Sequence, residues 1–246
     1  MNIPIRKKWG QNFLIDPNII NKILRVLNPK ENSYILEIGP GRGALTVPLA
    51  KLNVNICAVE IDPMLCDYLN KKELLNVKII NSDILKYDTS KFPNDYLIIG
   101  NLPYNVSSPI IFKFMQNTGW SKMVIMLQKE VAERIIADKN SKKYGRISIM
   151  MQSFFKINLE FHVPKTVFNP QPKIKSSIIS IEPKTKINLN YSNMKIVVQN
   201  AFKHRRKKLS HNLKNIIKEE YLKEIKDNRA EDLSVKDYQM LSKNLI

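Results

Sequence analysis

Three closely spaced glycines could bring main-chain N–H groups against a ligand. Gly39, Gly41 and Gly43 lie in the run Glu37-Ile38-Gly39-Pro40-Gly41-Arg42-Gly43, between a strand-like and a helix-like segment. Glycine lets the chain turn sharply and lets a ligand approach the backbone. In open α/β sheets such a turn faces the ligand at the carboxyl end of the sheet. The spacing misses the dinucleotide pattern G-x-G-x-x-G by one residue, so the loop alone identifies no ligand.

Two acidic residues follow later strand-like runs. Glu60 closes the second run, 21 residues after Gly39, where a carboxylate can accept both hydroxyls of a ribose. Asp83 follows the third run, where it can accept a hydrogen bond from an adenine amine. Each acid alone is as readily a helix cap or a solvated loop charge. Together with the glycine loop, these successive strand ends predict a nucleoside pocket.

The fourth strand-like run ends in Asn101-Leu102-Pro103-Tyr104. The Asn101 side-chain oxygen and the Leu102 carbonyl can hold the hydrogens of an exocyclic amine, which localises the nitrogen lone pair for attack on a methyl group. Pro103 stiffens the turn, and Tyr104 offers a face on which an unstacked base can lie. The alternative is a turn that merely closes a strand. We interpret the motif as one that positions and polarises an amine for methylation.

The segments that must position these residues alternate between two patterns. Short apolar runs, typical of buried parallel strands, alternate with segments of helical spacing, which predicts a doubly wound, Rossmann-like α/β sheet. A first helix is expected over 17–28, with Asp16 as its N-cap and Pro17 at its first position. The predicted strands are Tyr34–Ile38, Val54–Val59, Val77–Ile80, Tyr96–Ile99 and Met123–Leu127, with helices over 44–52, 63–72, 109–117 and 129–138. A further helix over 144–156 and two strands within 157–182 are predicted to follow, the strands forming an antiparallel edge.

The character of the chain changes after Pro183. No strand-like run follows, and residues 184–246 carry 15 Lys and Arg against 7 Asp and Glu. We therefore predict a catalytic domain over 1–183 and a small basic α-helical domain over 184–246. The helical-looking run at 203–208 includes four consecutive cations, which we expect to dock RNA phosphates: Arg205, Arg206, Lys207 and Lys208.

The overall charge favours a polyanionic partner. The 246 residues include 40 Lys and Arg against 22 Asp and Glu, a net charge of +18, although a biased base composition of the genome could contribute. The longest apolar run, Met123–Leu127, is far too short to span a membrane. The N-terminus lacks the apolar stretch of a secretory signal. Cys57 and Cys66 form no metal-binding pattern, so we expect a cytoplasmic protein without a metal site.

The acid and glycine pattern resembles that of methyltransferases that use S-adenosylmethionine. Further runs make the resemblance more specific and extend it over nearly the whole chain: Gln11-Asn12-Phe13-Leu14, Asn101 to Pro109 and Phe168-Asn169-Pro170-Gln171-Pro172-Lys173. The chain resembles the bacterial small-subunit (16S) rRNA adenine N6,N6-dimethyltransferase family.

The resemblance implies roles for particular residues. It implies that S-adenosylmethionine is bound by Asn12, Leu14, Gly39, Glu60, Asp83 and Asn101. It also implies that Asn101, Leu102, Pro103 and Tyr104 hold and stack the target adenine, and that Phe168 closes on its other face. The expected substrate is 16S rRNA within the immature small ribosomal subunit, dimethylated at two adjacent adenosines of its 3′-terminal hairpin. We expect a monomer with a role in rRNA processing and ribosome biogenesis.

Two alternatives remain open. A large-subunit (23S) rRNA adenine N6-methyltransferase of the macrolide-resistance type shares the fold and chemistry. That group commonly has Ile after the Asn of the motif and usually lacks a proline at the position of Pro109. The other alternative is a ribosome-assembly factor in which methylation is secondary. The intact cofactor and amine-holding residues argue against a protein that only binds.

Overall fold

The computed structural model describes residues 4–6, 9–117, 119–185 and 187–246. The chain divides into two compact units. The first takes in the chain up to Lys129 and again Asn158–Pro183, and the second takes in Glu130–Ile157 and Lys184–Ile246. No helix among the described residues has both the length and the apolar composition needed to cross a membrane.

Strands in the described residues form two sheets. They are β1 Phe13–Leu14, β2 Tyr34–Ile38, β3 Asn55–Glu60, β4 Val77–Asn81, β5 Tyr96–Asn101, β6 Trp120–Gln128, β7 Phe155–Val163, β8 Phe168–Asn169 and β9 Ser176–Pro183. Within these residues, seven strands form one sheet in the order β4-β3-β2-β5-β6-β9-β7, and β1 pairs with β8. Neighbouring strands from β4 to β6 are parallel, and β9 runs antiparallel to β6. The predicted α/β sheet and its antiparallel edge are therefore confirmed.

The strand order places a topological switch beside β2. The chain adds β3 and β4 on one side of β2 and then returns to add β5 and β6 on the other. In open α/β sheets, ligands bind outside the carboxyl ends of the strands at such a switch. The interior of the sheet is apolar, since Ile35, Ala58, Ile99 and Val124 are fully buried. These strands therefore form a rigid base for the loops that follow them.

The helices of the described residues occur in both units. They are α1 Pro17–Leu27, α2 Thr46–Ala50, α3 Pro63–Asn70, α4 Ser107–Gln116, α5 Lys129–Ile135, α6 Arg146–Phe154, α7 Tyr191–Ala201, α8 Leu209–Asn212, α9 Glu219–Ile225 and α10 Val235–Ser242. As predicted, the Asp16 side chain caps α1 by accepting from the N–H groups of Asn18 and Ile19, and Pro17 occupies the first turn. This cap satisfies donors that a helix start otherwise leaves without partners.

The second unit is helical but begins earlier than predicted. The sequence assigned residues 130–157 to the first domain, which was predicted to extend to Pro183, where the strand-like runs end. Instead α6 packs against α7 and α10, and the Gln152 amide donates to the carbonyls of Ile135 and Ala137. The apolar face of α6 is thus buried by helices that come some 40 residues or more later in the chain. The first unit ends at Pro183.

The basic run at 203–208 is a turn, contrary to its helical appearance in the sequence. α7 ends at Ala201 and α8 begins at Leu209. Asn212 holds the turn by donating to the carbonyls of Ala201, at 2.7 Å, and His204, at 3.1 Å. Like charges at neighbouring helical positions repel one another, which disfavours a helix over this run.

Candidate active site

The glycine loop follows β2, and its three glycines have no side chains to cover the backbone. Gly39, Gly41 and Gly43 have φ angles of 66°, 58° and 85°, which side chains other than glycine's rarely tolerate. A Cβ atom on Gly43 would stand 2.9 Å from Leu69, whereas a Cβ on Gly39 would meet nothing within 4 Å. Gly43 is therefore required for packing, and Gly39 borders open space that a ligand can fill.

Glu60 connects the glycine loop to the end of β3. Its side chain is 5% exposed, and its two carboxylate oxygens accept from the N–H groups of Gly41 and Asp62, each at 3.0 Å. Burial raises the pKa of Glu60, while these hydrogen bonds oppose the rise. Each oxygen still has a lone pair for a further donor. Glu60 can therefore accept hydroxyl hydrogens from a ligand beside the glycine loop.

The loop after β4 is held in place by its own acid and by a lysine. The Asp83 carboxylate accepts from the Leu85 N–H at 2.9 Å. The Lys113 ammonium, from α4, donates to the carbonyls of Leu85 at 3.2 Å and Tyr87 at 2.6 Å. Burial lowers the pKa of Lys113, and the nearby carboxylates of Asp83 and Asp88 oppose that change. The acid-bearing loop is thereby tied to the helix that follows the Asn-Leu-Pro-Tyr motif.

The motif after β5 is fixed on both sides. The Asn101 amide nitrogen donates to the Asn12 carbonyl at 2.9 Å, and the Leu102 N–H donates to the Met126 carbonyl at 3.2 Å. No hydrogen-bond donor within the described residues binds the Leu102 carbonyl. With its nitrogen engaged, the Asn101 amide offers its oxygen as an acceptor. Two carbonyl-type acceptors thus lie on adjacent residues.

Tyr104 completes the motif. Its hydroxyl hydrogen-bonds to the Ser176 hydroxyl at 2.7 Å, and burial raises the pKa of Tyr104. The ring is therefore neutral at physiological pH, and its hydroxyl is tied to β9. An aromatic ring held at one end can present its face to a planar base.

One cleft of the first unit brings these predicted residues together. It is lined by Asn12, Leu14, Gly39, Glu60, Asp83, Asn101, Leu102, Pro103 and Tyr104. They come from five separate stretches of sequence, at the ends of strands and in the N-terminal segment. Among the described residues, no cluster of His, Cys, Asp or Glu could hold a metal ion.

Phe168 does not line this cleft. Its side chain is 2% exposed and lies in the apolar core that also contains Leu14, because β8 pairs with β1 and places Phe168 opposite Leu14. The chain brings this aromatic to the same strand pair as a cleft residue but directs it into the core. Its predicted stacking role stays a prediction.

The four predicted RNA-docking cations are all exposed but differ in their partners. Arg205 is paired with Glu231 at 3.3 Å, and Lys208 with Asp227 at 2.7 Å. Within the described residues, Arg206 and Lys207 have no carboxylate partner. The latter two are therefore the better placed for phosphate contacts.

Glu37 is a cleft residue to which the sequence assigned no separate role. It is 1% exposed, and its Oε2 atom has no hydrogen-bond partner among the described residues by geometry. Burial raises the pKa of Glu37 to about 8, the adjacent Thr46 opposes the rise, and the Glu60 carboxylate adds to it. The only signal in the sequence was its place as the last acid before the glycine loop.

The parallel sheet, the glycine loop and the acids at successive strand ends define an α/β protein with a nucleoside-binding cleft. The family described as ribosomal RNA adenine dimethylase matches residues 2–246. The chain belongs to this family.

Individual relatives agree with that assignment. Ribosomal RNA small subunit methyltransferase A of Wigglesworthia glossinidia brevipalpis is 41% identical over 261 residues, covering 100% of this chain and 99% of that protein. The protein of the same name from Francisella tularensis subsp. novicida is 42% identical over 253 residues, covering 96% of each. Two solved structures share the fold. A dimethyladenosine transferase from Plasmodium falciparum has 25% identity and a TM-score of 0.84, covering 95% of this chain and 99% of that one. The 23S rRNA methyltransferase ErmE has 22% identity and a TM-score of 0.74, covering 94% and 98%.

The buried carboxyl of Glu37 predicts a pH-dependent stability. Its folded-state pKa of about 8 lies above the ordinary value of 4.5, so the folded protein binds the proton more tightly than the unfolded chain. Stability from this group is complete below its unfolded-state pKa and is lost as pH rises towards 8, by at most about 1.4 kcal/mol per pH unit. Glu37→Gln should remove that slope. Urea unfolding of the wild type and of Glu37→Gln from pH 4.5 to 8 gives the free energy of unfolding at each pH. The same pH dependence in both proteins would contradict the prediction.

Proposed function

We propose that this chain uses S-adenosylmethionine to dimethylate the N6 amine of adenosines in small-subunit (16S) ribosomal RNA. The observation that carries the proposal is that one cleft is lined both by nucleoside-binding acids and by the Asn101-Leu102-Pro103-Tyr104 motif. The two relatives that are 41% and 42% identical are named small subunit methyltransferases. Family membership and this arrangement support the same chemistry.

The residues present fit the cofactor. Gly39 borders open space, and Glu37 offers a buried polar atom without a partner in the described chain. Glu60 would accept the ribose hydroxyls, and Asp83 would accept the adenine amine. Asn12 and Leu14 line the same cleft from the N-terminal segment. When bound, the cofactor supplies a methyl group on a sulfonium, which is a good leaving group.

The target amine would be held by two acceptors. The Asn101 side-chain oxygen and the Leu102 carbonyl each accept one amine hydrogen, which draws the nitrogen lone pair out of conjugation with the adenine ring. Tyr104 stacks on the base and Pro103 keeps the turn stiff. The amine can lose its proton after transfer, so no strong general base is required. The contribution of the chain is positioning and polarisation.

The finer features of the substrate belong to the same proposal. We infer two adjacent adenosines of the 3′-terminal hairpin, within the immature small subunit, as targets of a monomeric enzyme. The net charge of +18 supports docking on a large polyanion, since phosphate contacts position RNA without reading its sequence. Arg206 and Lys207 supply exposed cations for this purpose.

The central experiment is methylation of ribosomal particles. Immature small subunits are incubated with the chain and labelled S-adenosylmethionine, and nucleosides are analysed by mass spectrometry. We expect N6,N6-dimethyladenosine in small-subunit RNA. Label confined to large-subunit RNA would support the 23S alternative, and tight particle binding without transfer would support the assembly-factor alternative.

Glu60→Ala should weaken cofactor binding. Removing a charged acceptor of ribose hydroxyls costs roughly 1.5–3 kcal/mol, which calorimetric titration measures. Glu220→Ala, an exposed acid of α9, is the matched control and should bind as the wild type does. Unchanged affinity in a folded Glu60→Ala protein would remove Glu60 from the site.

Tyr104→Ala should retain cofactor affinity and lose transfer, because base stacking contributes about 1–3 kcal/mol per aromatic. Tyr104→Phe keeps the ring and should retain far more activity.

Phe168→Ala separates the predicted stacking role of Phe168 from its packing in the core, because loss of core packing alone costs about 3–5 kcal/mol of stability. If folded Phe168→Ala transfers methyl groups at the wild-type rate with S-adenosylmethionine, Phe168 acts only in the core.

Neutralising Arg206 and Lys207 to Ala should weaken binding to small-subunit particles and flatten its salt dependence by about one unit of slope per lost phosphate contact. Cofactor affinity should not change. The control replaces Lys51 and Lys91, two exposed lysines of the first unit, with Ala and keeps the charge change the same. Equal losses in both double variants would indicate a general effect of charge rather than docking by the turn.

A further inference from the structure

The N-terminal segment from Trp9 to Leu14, here called the strap, lines the cleft. The Gln11 side chain makes hydrogen bonds to residues outside the strap. The amide nitrogen donates to the Asp62 carboxylate at 3.0 Å, across 51 residues of sequence. The amide oxygen accepts from the Arg6 N–H at 2.8 Å. Gln11 therefore ties the strap to the residue that opens α3.

Asp62 is a rigid acceptor. Its side chain is fully buried, and its other oxygen accepts from the Met64 N–H at 3.0 Å as the N-cap of α3. The Arg6 guanidinium lies 3.8 Å from the same carboxylate. The Asp62 N–H donates to Glu60 at 3.0 Å. The Gln11–Asp62 hydrogen bond thus anchors the strap to the framework of the cleft.

The next residue of the strap reaches the proposed amine-holding group. The Asn12 carbonyl accepts from the Asn101 amide nitrogen at 2.9 Å. An amide bound through its nitrogen has its oxygen fixed on the opposite side, so this contact selects which end of Asn101 acts as an acceptor. A displaced strap would remove the partner that selects this orientation.

We propose that Gln11 is a positioning residue for methyl transfer: its hydrogen bond to Asp62 holds the strap so that the Asn12 carbonyl orients the Asn101 amide. The inference rests on the proposed function for the role of the Asn101 oxygen. It assigns Gln11 and Asp62 a part in turnover although neither is required to touch the target base.

A double-mutant cycle in the full-length chain tests the hydrogen bond between Gln11 and Asp62, here called the latch. Gln11→Glu sets a carboxylate against that of Asp62 and breaks the hydrogen bond. Adding Asp62→Asn restores a bond with donor and acceptor exchanged, and Asn remains a good N-cap. The control Gln116→Glu makes the same change at an exposed position at the far end of α4. Each single variant is measured to complete the cycle.

The first readout is the single-turnover rate of methyl transfer on small-subunit particles at saturating S-adenosylmethionine. We expect Gln11→Glu to be slower by about tenfold or more, the double variant to recover most of that loss, and the control to match the wild type. Thermal unfolding verifies the fold. If Gln11→Glu does not fold, Gln11→Leu removes the bond without adding charge and should show the same loss.

The second readout needs no RNA. The side-chain amide signals of Asn101 in a ¹⁵N spectrum, identified by their loss in Asn101→Ala, should exchange slowly in the wild type and the double variant and rapidly in Gln11→Glu. Unchanged Asn101 exchange in Gln11→Glu, or a double variant that recovers neither readout, would overturn the latch. If the wild type methylates no particle, the proposed function fails, while the Asn101 signals still decide the latch.

Discussion

The close approach of β2 and β5 is the constraint on which the site depends. Ile38 is paired with both Val59 and Gly100, and a Cβ atom on Gly100 would stand 2.6 Å from the Ile38 carbonyl oxygen. Only glycine therefore permits this pairing. The pairing of β2 with β3 and β5 places the start of the glycine loop, the end of β3 and the Asn-Leu-Pro-Tyr motif side by side at one edge of the sheet. Residues far apart in sequence become neighbours because three parallel strands end together.

Burial of acids in this cleft is the main electrostatic feature of the first unit. Glu37 and Glu60 are both almost fully buried, and burial raises the pKa of each. Desolvated carboxyls without full compensation destabilise a fold. Glu60 is compensated by two N–H groups of the backbone, whereas one oxygen of Glu37, Oε2, has no hydrogen-bond partner among the described residues. Under the proposed function, a cationic cofactor would bind in the cleft that contains both acids, so stability given up in the free protein would be recovered on binding.

The sequence predicted the sheet, and the meeting of the strand-end residues in one cleft, for a physical reason. Buried parallel strands are continuous apolar runs, and residues that follow such runs must meet at one edge. Glu60, Asp83 and Asn101 were therefore predictable as neighbours on the cleft, whereas Asn12 was predicted only from the family resemblance. The position of Phe168 in the apolar core was not predictable, because the pairing of two-residue strands leaves no periodic pattern in the sequence. The turn at 203–208 was also missed, since the Asn212 side chain whose hydrogen bonds hold it lies outside the run itself.

The two units are interleaved along the chain, which passes between them after Lys129, Ile157 and Pro183. During synthesis from the N-terminus, the last strand of the large sheet is available once Pro183 has been made. α6 must then wait for α7 and α10 before its apolar face can be covered. Until then, the apolar surface that α6 buries against α7 and α10 has no partner from those helices, and exposed apolar surface favours chaperone binding. For the same reason the helical unit cannot be exchanged between relatives as one contiguous cassette.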